Sequence, residues 1–193
     1  DQIILTGTHL RNMRVDPDVC LSGTAQRAVD TLEGLLGYLP RRIRVVGTDS
    51  GLNEYDKGVF HYYPDAWITQ HYPGHMALIV RGFLNFVPPG GESGSQFEKR
   101  VKDFLDYVYD EYADQRVLIV AHASTIRMIQ TIIHRWPAQE YLRRLNQRAV
   151  KNCSVILYTA DDLAKKNPPR IVTPWEGCLT EEREIKNDTP TDI

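Results

Sequence analysis

The chain has 193 residues, 42% hydrophobic and 25% charged, which suits an ordinary soluble protein with one sizeable core in a single domain. A net charge of −2 and a pI near 6.3 supply no basic field, arguing against nucleic acid or an anionic membrane as partner, so any anion site must be local. Cys20, Cys153 and Cys178 have no CxxC spacing, and no apolar run approaches the roughly 18 residues that cross a bilayer; a disulfide scaffold, a zinc cluster and a membrane span are therefore not expected, and a reducing cytoplasm is.

Ile3 to Thr6 reads as a short strand, and Val19 to Leu21, after the turn-forming Asp16-Pro17-Asp18, as a second. From Ala25 the residues Ala28, Val29, Leu32, Leu35 and Leu36 form one stripe of a helix that Gly37 and Pro40 end. Ile43 to Val46 resumes a strand. Residues 47–94 are rich in proline and glycine and read as a largely irregular insertion or lid, whose Tyr55, Phe60, Tyr62, Tyr63, Trp67 and Tyr72 either pack it or meet a ring-bearing ligand. Gly90-Gly91-Glu92-Ser93 reads as a turn and helix cap. Phe97, Val101, Phe104, Leu105, Val108 and Tyr112 then recur at helical spacing and lead into a strand over Val117 to Val120. Ile126, Ile129, Ile132 and Ile133 mark a further helix, closed near Pro137; another helix runs from Ala138 to Leu145, and Ser154 to Tyr158 is a late strand. This alternation predicts a layered α/β domain over residues 1–160 with a mostly parallel sheet, and residues 161–193 form a polar C-terminal extension.

The carboxyl ends of such strands carry the chemistry. In RVLIVAHASTIR the strand stops at His122 and a helix begins, beside the free N–H groups of a helix start where an anion is stabilised. Arg27 opens the helix after VCLSGT, a junction of the same kind, and its guanidinium could grip a phosphate at two points. Glu54, in the turn-rich GLNEYDKG, could protonate a leaving oxygen. Each also has a plainer reading, as a structural hydrogen bonder or a surface charge. The pair His71 and His75 is separated by Pro73 and Gly74, which breaks the helical spacing a metal pair would need, so no metal and no cofactor is expected.

In chain order, LSGTAQRAVDTLEGLL, GLNEYDKGVF, PPGGES, VLIVAHASTIRMI and KNCSVILY resemble the successive segments of the histidine phosphatase superfamily, the phosphoglycerate mutase-like proteins. The resemblance implies a three-layer α/β fold. It also implies a reaction in which a histidine attacks phosphorus, an acid protonates the departing alcohol and water releases phosphate, without a metal. By resemblance Arg27 and Ser22 belong to the phosphate-binding set, Glu54 is the candidate acid and His122 the second histidine.

The N-terminus departs from the family, whose first strand ends in Arg-His-Gly with the nucleophilic histidine. No such tripeptide occurs in this sequence. In one register Leu5 and Thr6 stand at the arginine and histidine positions. In another, LTGTHLRNM matches the LTxxGxxQ segment that follows the nucleophile. In a third, His9 reaches phosphorus with Arg11 beside it. Three functions follow: a phosphomonoesterase with a displaced nucleophile, a pseudophosphatase that binds a phosphorylated small molecule or phosphoprotein without turnover, or an interaction protein using the fold alone. Self-association is left open.

Overall fold

The structure is a computed structural model that describes residues 2–74, 82–147, 150, 152, 154–160 and 171–178. The chain divides into two units, Asp16–Glu33 with Pro40–Val150, and Asp1–Val15 with Gly34–Leu39 and Lys151–Ile193.

The larger unit is built on three parallel strands, β1 (Val19–Ser22), β2 (Val45–Thr48) and β3 (Val117–Val120), in the order β2-β1-β3. Their register is continuous: Val19 lies opposite Val45 and Val117, and Ser22 opposite Thr48 and Val120. At the amino end Asp18 ties β1 to β3, its carboxylate accepting from the Arg116 backbone N–H (3.0 Å) and from Arg116 Nε (3.2 Å). Those bonds, the backbone one foremost, hold the Asp18 carboxyl below its usual range. Helix α2 (Gln26–Leu36) follows β1, and its residues up to Glu33 belong to this unit.

Between β2 and β3 the chain makes two short 3-10 turns, Ser50–Leu52 and Gly58–Tyr62, then α3 (Asp65–His71) and α4 (Gly94–Glu111). The 47–94 stretch therefore carries more regular structure than its composition suggested. Gly58 has a positive φ of 54°, and a Cβ there would stand 2.1 Å from the Pro89 carbonyl oxygen, so only glycine passes that crossing. Among the lid aromatics, Tyr55 packs inward against Phe83 and Phe97, with ring centroids 5.7 and 5.4 Å away, and Tyr63 stacks on Trp67 at 3.9 Å.

Ser93 caps α4 as expected. Its hydroxyl accepts from the Gln96 N–H (3.1 Å), while Gln96 Oε1 accepts from the Ser93 N–H (2.7 Å). Helices α5 (Ala123–Ile133) and α6 (Ala138–Gln147) complete the unit. Its core gathers Val19, Leu21, Leu52, Phe83, Phe97, Val101, Phe104, Met128, Ile129 and Tyr141. Phe97 and Val101 are wholly buried because their spacing of four residues sets both on one face of α4.

In the smaller unit, residues Gln2–Asn12 form a helix, α1, which overturns the strand expected over Ile3 to Thr6. A short apolar run such as Ile3-Ile4-Leu5 fits either period. The helix buries Thr6, Gly7 and Leu10 on one side, and Gly7 is necessary there because a Cβ would fall 2.4 Å from the Tyr38 ring. Strands β4 (Ser154–Ala160) and β5 (Ile171–Cys178) pair antiparallel, so the expected extension contains a strand. His75, Cys153 and most of residues 161–193 lie outside the described residues.

Replacing Ser93 with Ala removes one arm of the capping box and is expected to cost about 1 kcal/mol. Urea unfolding followed by circular dichroism should show a lower midpoint with an unchanged slope.

Candidate active site

Because β2, β1 and β3 run parallel and in register, the segments leaving Thr48, Ser22 and Val120 all depart from one rim of the sheet. Each carries one polar residue singled out in the sequence: Glu54, Arg27 and His122. The structure brings the three side chains together. Arg27 Nη2 donates to Glu54 Oε2 at 2.5 Å, and its Nε and Nη2 lie 3.2 and 3.1 Å from His122 Nδ1. His122 Nδ1 is 3.8 Å from the same Glu54 oxygen.

His122 is the N-cap residue of α5 but makes no side-chain capping bond. A guanidinium can only donate, so Nδ1 must accept and the neutral ring carries its proton on Nε2. That Nε2 is buried and has no hydrogen-bond partner among the described residues. A buried donor without an acceptor is costly, which marks the position as one an incoming oxygen could fill. Burial, and then the neighbouring Arg27 charge, hold the imidazole below its ordinary value of 6.5, against an opposing pull from Glu54.

Exposure divides the cluster. The Arg27 side chain is 63% exposed and Glu54 34%, whereas His122 is 8% exposed, so the movable charges lie outside and the fixed imidazole beneath. The loops are pinned to one another. Asn53 Oδ1 accepts from the Thr24 N–H (2.8 Å), Thr125 Oγ1 donates to the Asn53 carbonyl (2.8 Å), and the Tyr55 N–H donates to Ser124 Oγ (3.2 Å). Ser124 and Thr125 begin α5, so the start of that helix also locates the segment bearing Glu54.

Ser22 is at the rim, but its hydroxyl is fully buried and donates to the Gly23 carbonyl (3.1 Å). His9 and Arg11 lie on α1 in the smaller unit, where the Arg11 guanidinium stands 5.9 Å from the centre of the Tyr38 ring. Cys20 is buried within β1, its thiol pushed up to about 11 by desolvation, so it stays a thiol at neutral pH. Among the described residues no group of three or more His, Cys, Asp or Glu side chains is placed to hold a metal ion. Arg100, Asn53 and Thr125 shape the site without having been singled out in the sequence; each resembles an ordinary surface or cap residue until its long-range partner is known.

A parallel α/β unit with a guanidinium, a carboxylate and a buried imidazole at one rim has the architecture of the phosphatase and mutase fold. The chain belongs to the histidine phosphatase superfamily, branch 1, whose family model matches residues 1–166. It is 28% identical over 138 residues to the 2,3-bisphosphoglycerate-dependent phosphoglycerate mutase of Rhizobium etli, covering 70% of this chain and 66% of that one. To the same-named protein of Cytophaga hutchinsonii it is 29% identical over 114 residues, covering 58% and 53%. The chain thus spans between about half and two thirds of those mutases. Its fold is similar to a mycobacterial glucosyl-3-phosphoglycerate phosphatase complexed with VO3, at a TM-score of 0.68 and 20% identity over 89% of this chain and 81% of that one. A putative α-ribazole-5′-P phosphatase from Escherichia coli gives 0.68 and 19%, over 89% and 80%.

The His122 ring sets a pH dependence whose sign follows from linkage. Its folded value is depressed, so between that value and 6.5 the unfolded chain binds the extra proton. The stability from keeping the ring neutral is complete above 6.5 and is lost as pH falls through the folded value. Thermal melts from about pH 8 to about pH 5 should show wild type losing more stability than His122→Gln.

Proposed function

We propose that the rim of the larger unit binds a phosphate ester, with Arg27 and the Nε2–H of His122 taking phosphoryl oxygens and Glu54 standing as proton donor to the leaving oxygen. The observation that carries this reading is the buried Nε2–H without a partner among the described residues, next to a guanidinium that is largely exposed and bonded to Glu54. The first turn of α5 adds backbone N–H groups to the same side of the sheet. Such donors stabilise charge that grows on phosphoryl oxygens as the ester bond breaks. Glu54 holds Arg27, so an arriving phosphate competes for that guanidinium and frees the carboxyl to face the leaving group.

Family membership supports phosphoryl-transfer chemistry, and hydrolysis of a phosphomonoester is the activity we assign. Structures of a similar mycobacterial phosphatase with VO3 and with inorganic phosphate make those anions suitable probes. The substrate we assign is a phosphorylated small molecule, with no part for a nucleic acid. A second reading is binding of the ester without turnover, since the three side chains that meet at the rim are those of an anion site.

Phosphate at a hundred times its dissociation constant should stabilise the protein by about 2.7 kcal/mol, raising the melting temperature by roughly 2–4 °C per kcal/mol. Arg27→Ala should remove most of the shift; melting unmoved by phosphate or vanadate in the wild type would end the proposal. A chromogenic phosphate ester separates the two readings. Turnover that drops about a hundredfold in Glu54→Gln supports the hydrolase. A chain that binds phosphate and turns nothing over is the binding module.

A further inference from the structure

Arg100, on the polar face of α4, looks like a solvated charge, yet its guanidinium is spent almost entirely on the segment that carries Glu54. Nη1 donates to the carbonyls of Ser50 (3.1 Å), Gly51 (2.9 Å) and Asn53 (3.1 Å), and Nη2 to the Glu54 carbonyl (3.3 Å). The other edge of the fork grips Glu92, with Nε 3.2 Å from Oε2 and Nη2 2.5 Å from Oε1. Glu92 extends the clamp past Glu54, since its Oε1 also accepts from the Asp56 N–H (3.0 Å) and its own N–H donates to the Asp56 carbonyl (3.0 Å). The arginine is 24% exposed, with its guanidinium carbon 4.9 Å from the centre of the Phe97 ring.

We propose that Arg100 is a positioning residue that sets where the Glu54 carboxylate stands relative to Arg27 and His122. It touches the backbone on both sides of Glu54 and never the carboxylate, so it acts through the segment's placement. The carbonyls it collects belong to the Ser50–Leu52 turn and the residues after it, and two of them serve a second donor: the Ser50 carbonyl closes the turn with the Asn53 N–H (3.0 Å), and the Asn53 carbonyl also takes the Thr125 hydroxyl. A planar fork of five fixed N–H donors can meet four carbonyls and a carboxylate together, two of the three carbonyls on Nη1 sharing one hydrogen, and a lysine ammonium cannot. Glu92, read from the sequence as part of a turn, is the anion that fixes the fork's orientation.

This rests on the reading of Glu54 and Arg27 as parts of a phosphate site, and the test uses two readouts so that either idea can fail alone. The first is the dissociation constant for inorganic phosphate in wild type, Arg100→Met, Glu54→Gln and the double variant. Freed from the clamp, Glu54 should hold Arg27 less firmly, so Arg100→Met is expected to tighten phosphate by at least about threefold, and to do nothing further once Glu54 is Gln. The second is the His122 ring titration by NMR without phosphate. The field of Glu54 raises that titration, so Arg100→Met should lower it, and in the Glu54→Gln background the shift should vanish.

If Arg100→Met merely lowers the melting temperature, with His122 titrating as in wild type, or if its effects are the same in both Glu54 backgrounds, Arg100 is only a structural brace and the proposal fails. If no variant binds phosphate but the His122 shift depends on Glu54 as described, the phosphate reading fails and the positioning role stands. Should Arg100→Met not fold, Arg100→Lys keeps the charge without the fork and should shift His122 in the same direction; a lysine variant indistinguishable from wild type overturns the proposal.

Discussion

The parallel register of β2, β1 and β3 is the constraint on which the site depends. With Thr48, Ser22 and Val120 side by side at the carboxyl ends, residues separated by up to 95 positions emerge within hydrogen-bond reach. An antiparallel arrangement would send alternate loops to opposite rims. The register is held at the amino end by Asp18 and Arg116 and through the middle by Val19 and Leu21, which join the core beneath α4 and α5. Core packing and site assembly are therefore one event, because the helices that bury the sheet also begin at the rim where the charges lie.

Electrostatically the cluster is balanced by its own residues. Arg27 satisfies its charge with Glu54 and stabilises the neutral form of His122, and among the described residues the imidazole has one donor left to spend. The exposed pair contributes little to stability, since solvent screens it and both side chains lose freedom in making it. Its importance is positional: the guanidinium is kept at the site, ready to exchange one anion for another. Rigidity comes instead from bonds to backbone groups, through Asn53, Ser124, Thr125 and the fork of Arg100. A site of this design keeps its geometry as its charges change partners.

Most of the larger unit was legible in the sequence because its segments are long enough for periodicity to decide. The α4 stripe, the β3 run and the junction at His122 each carry a strong local signal, and Ser93 announced its helix through cap chemistry. Ile43 to Val46 was less sharp, the strand running instead over Val45–Thr48, because two arginines and a turn precede it. The first segment failed for a definite reason: Ile3-Ile4-Leu5 is too short to distinguish a period of 2 from one of 3.6, and the burial of Gly7 against Tyr38 decides it. With α1 a helix, the register that ends a strand at Leu5 and Thr6 has no structural basis.

By itself the amino-acid sequence determined the alternation of elements, the helix caps, and the types of side chain available at each strand end, since these depend on neighbours within a few residues. Which of those side chains meet, and in what state, was decided only by tertiary structure. That Arg27 binds Glu54 while steering the tautomer of His122, and that Arg100 reaches back some fifty positions to four carbonyls, are consequences of burial and register. A guanidinium on a polar helix face reads alike whether it meets water or a loop. The difference lies in what the folded chain brings opposite it.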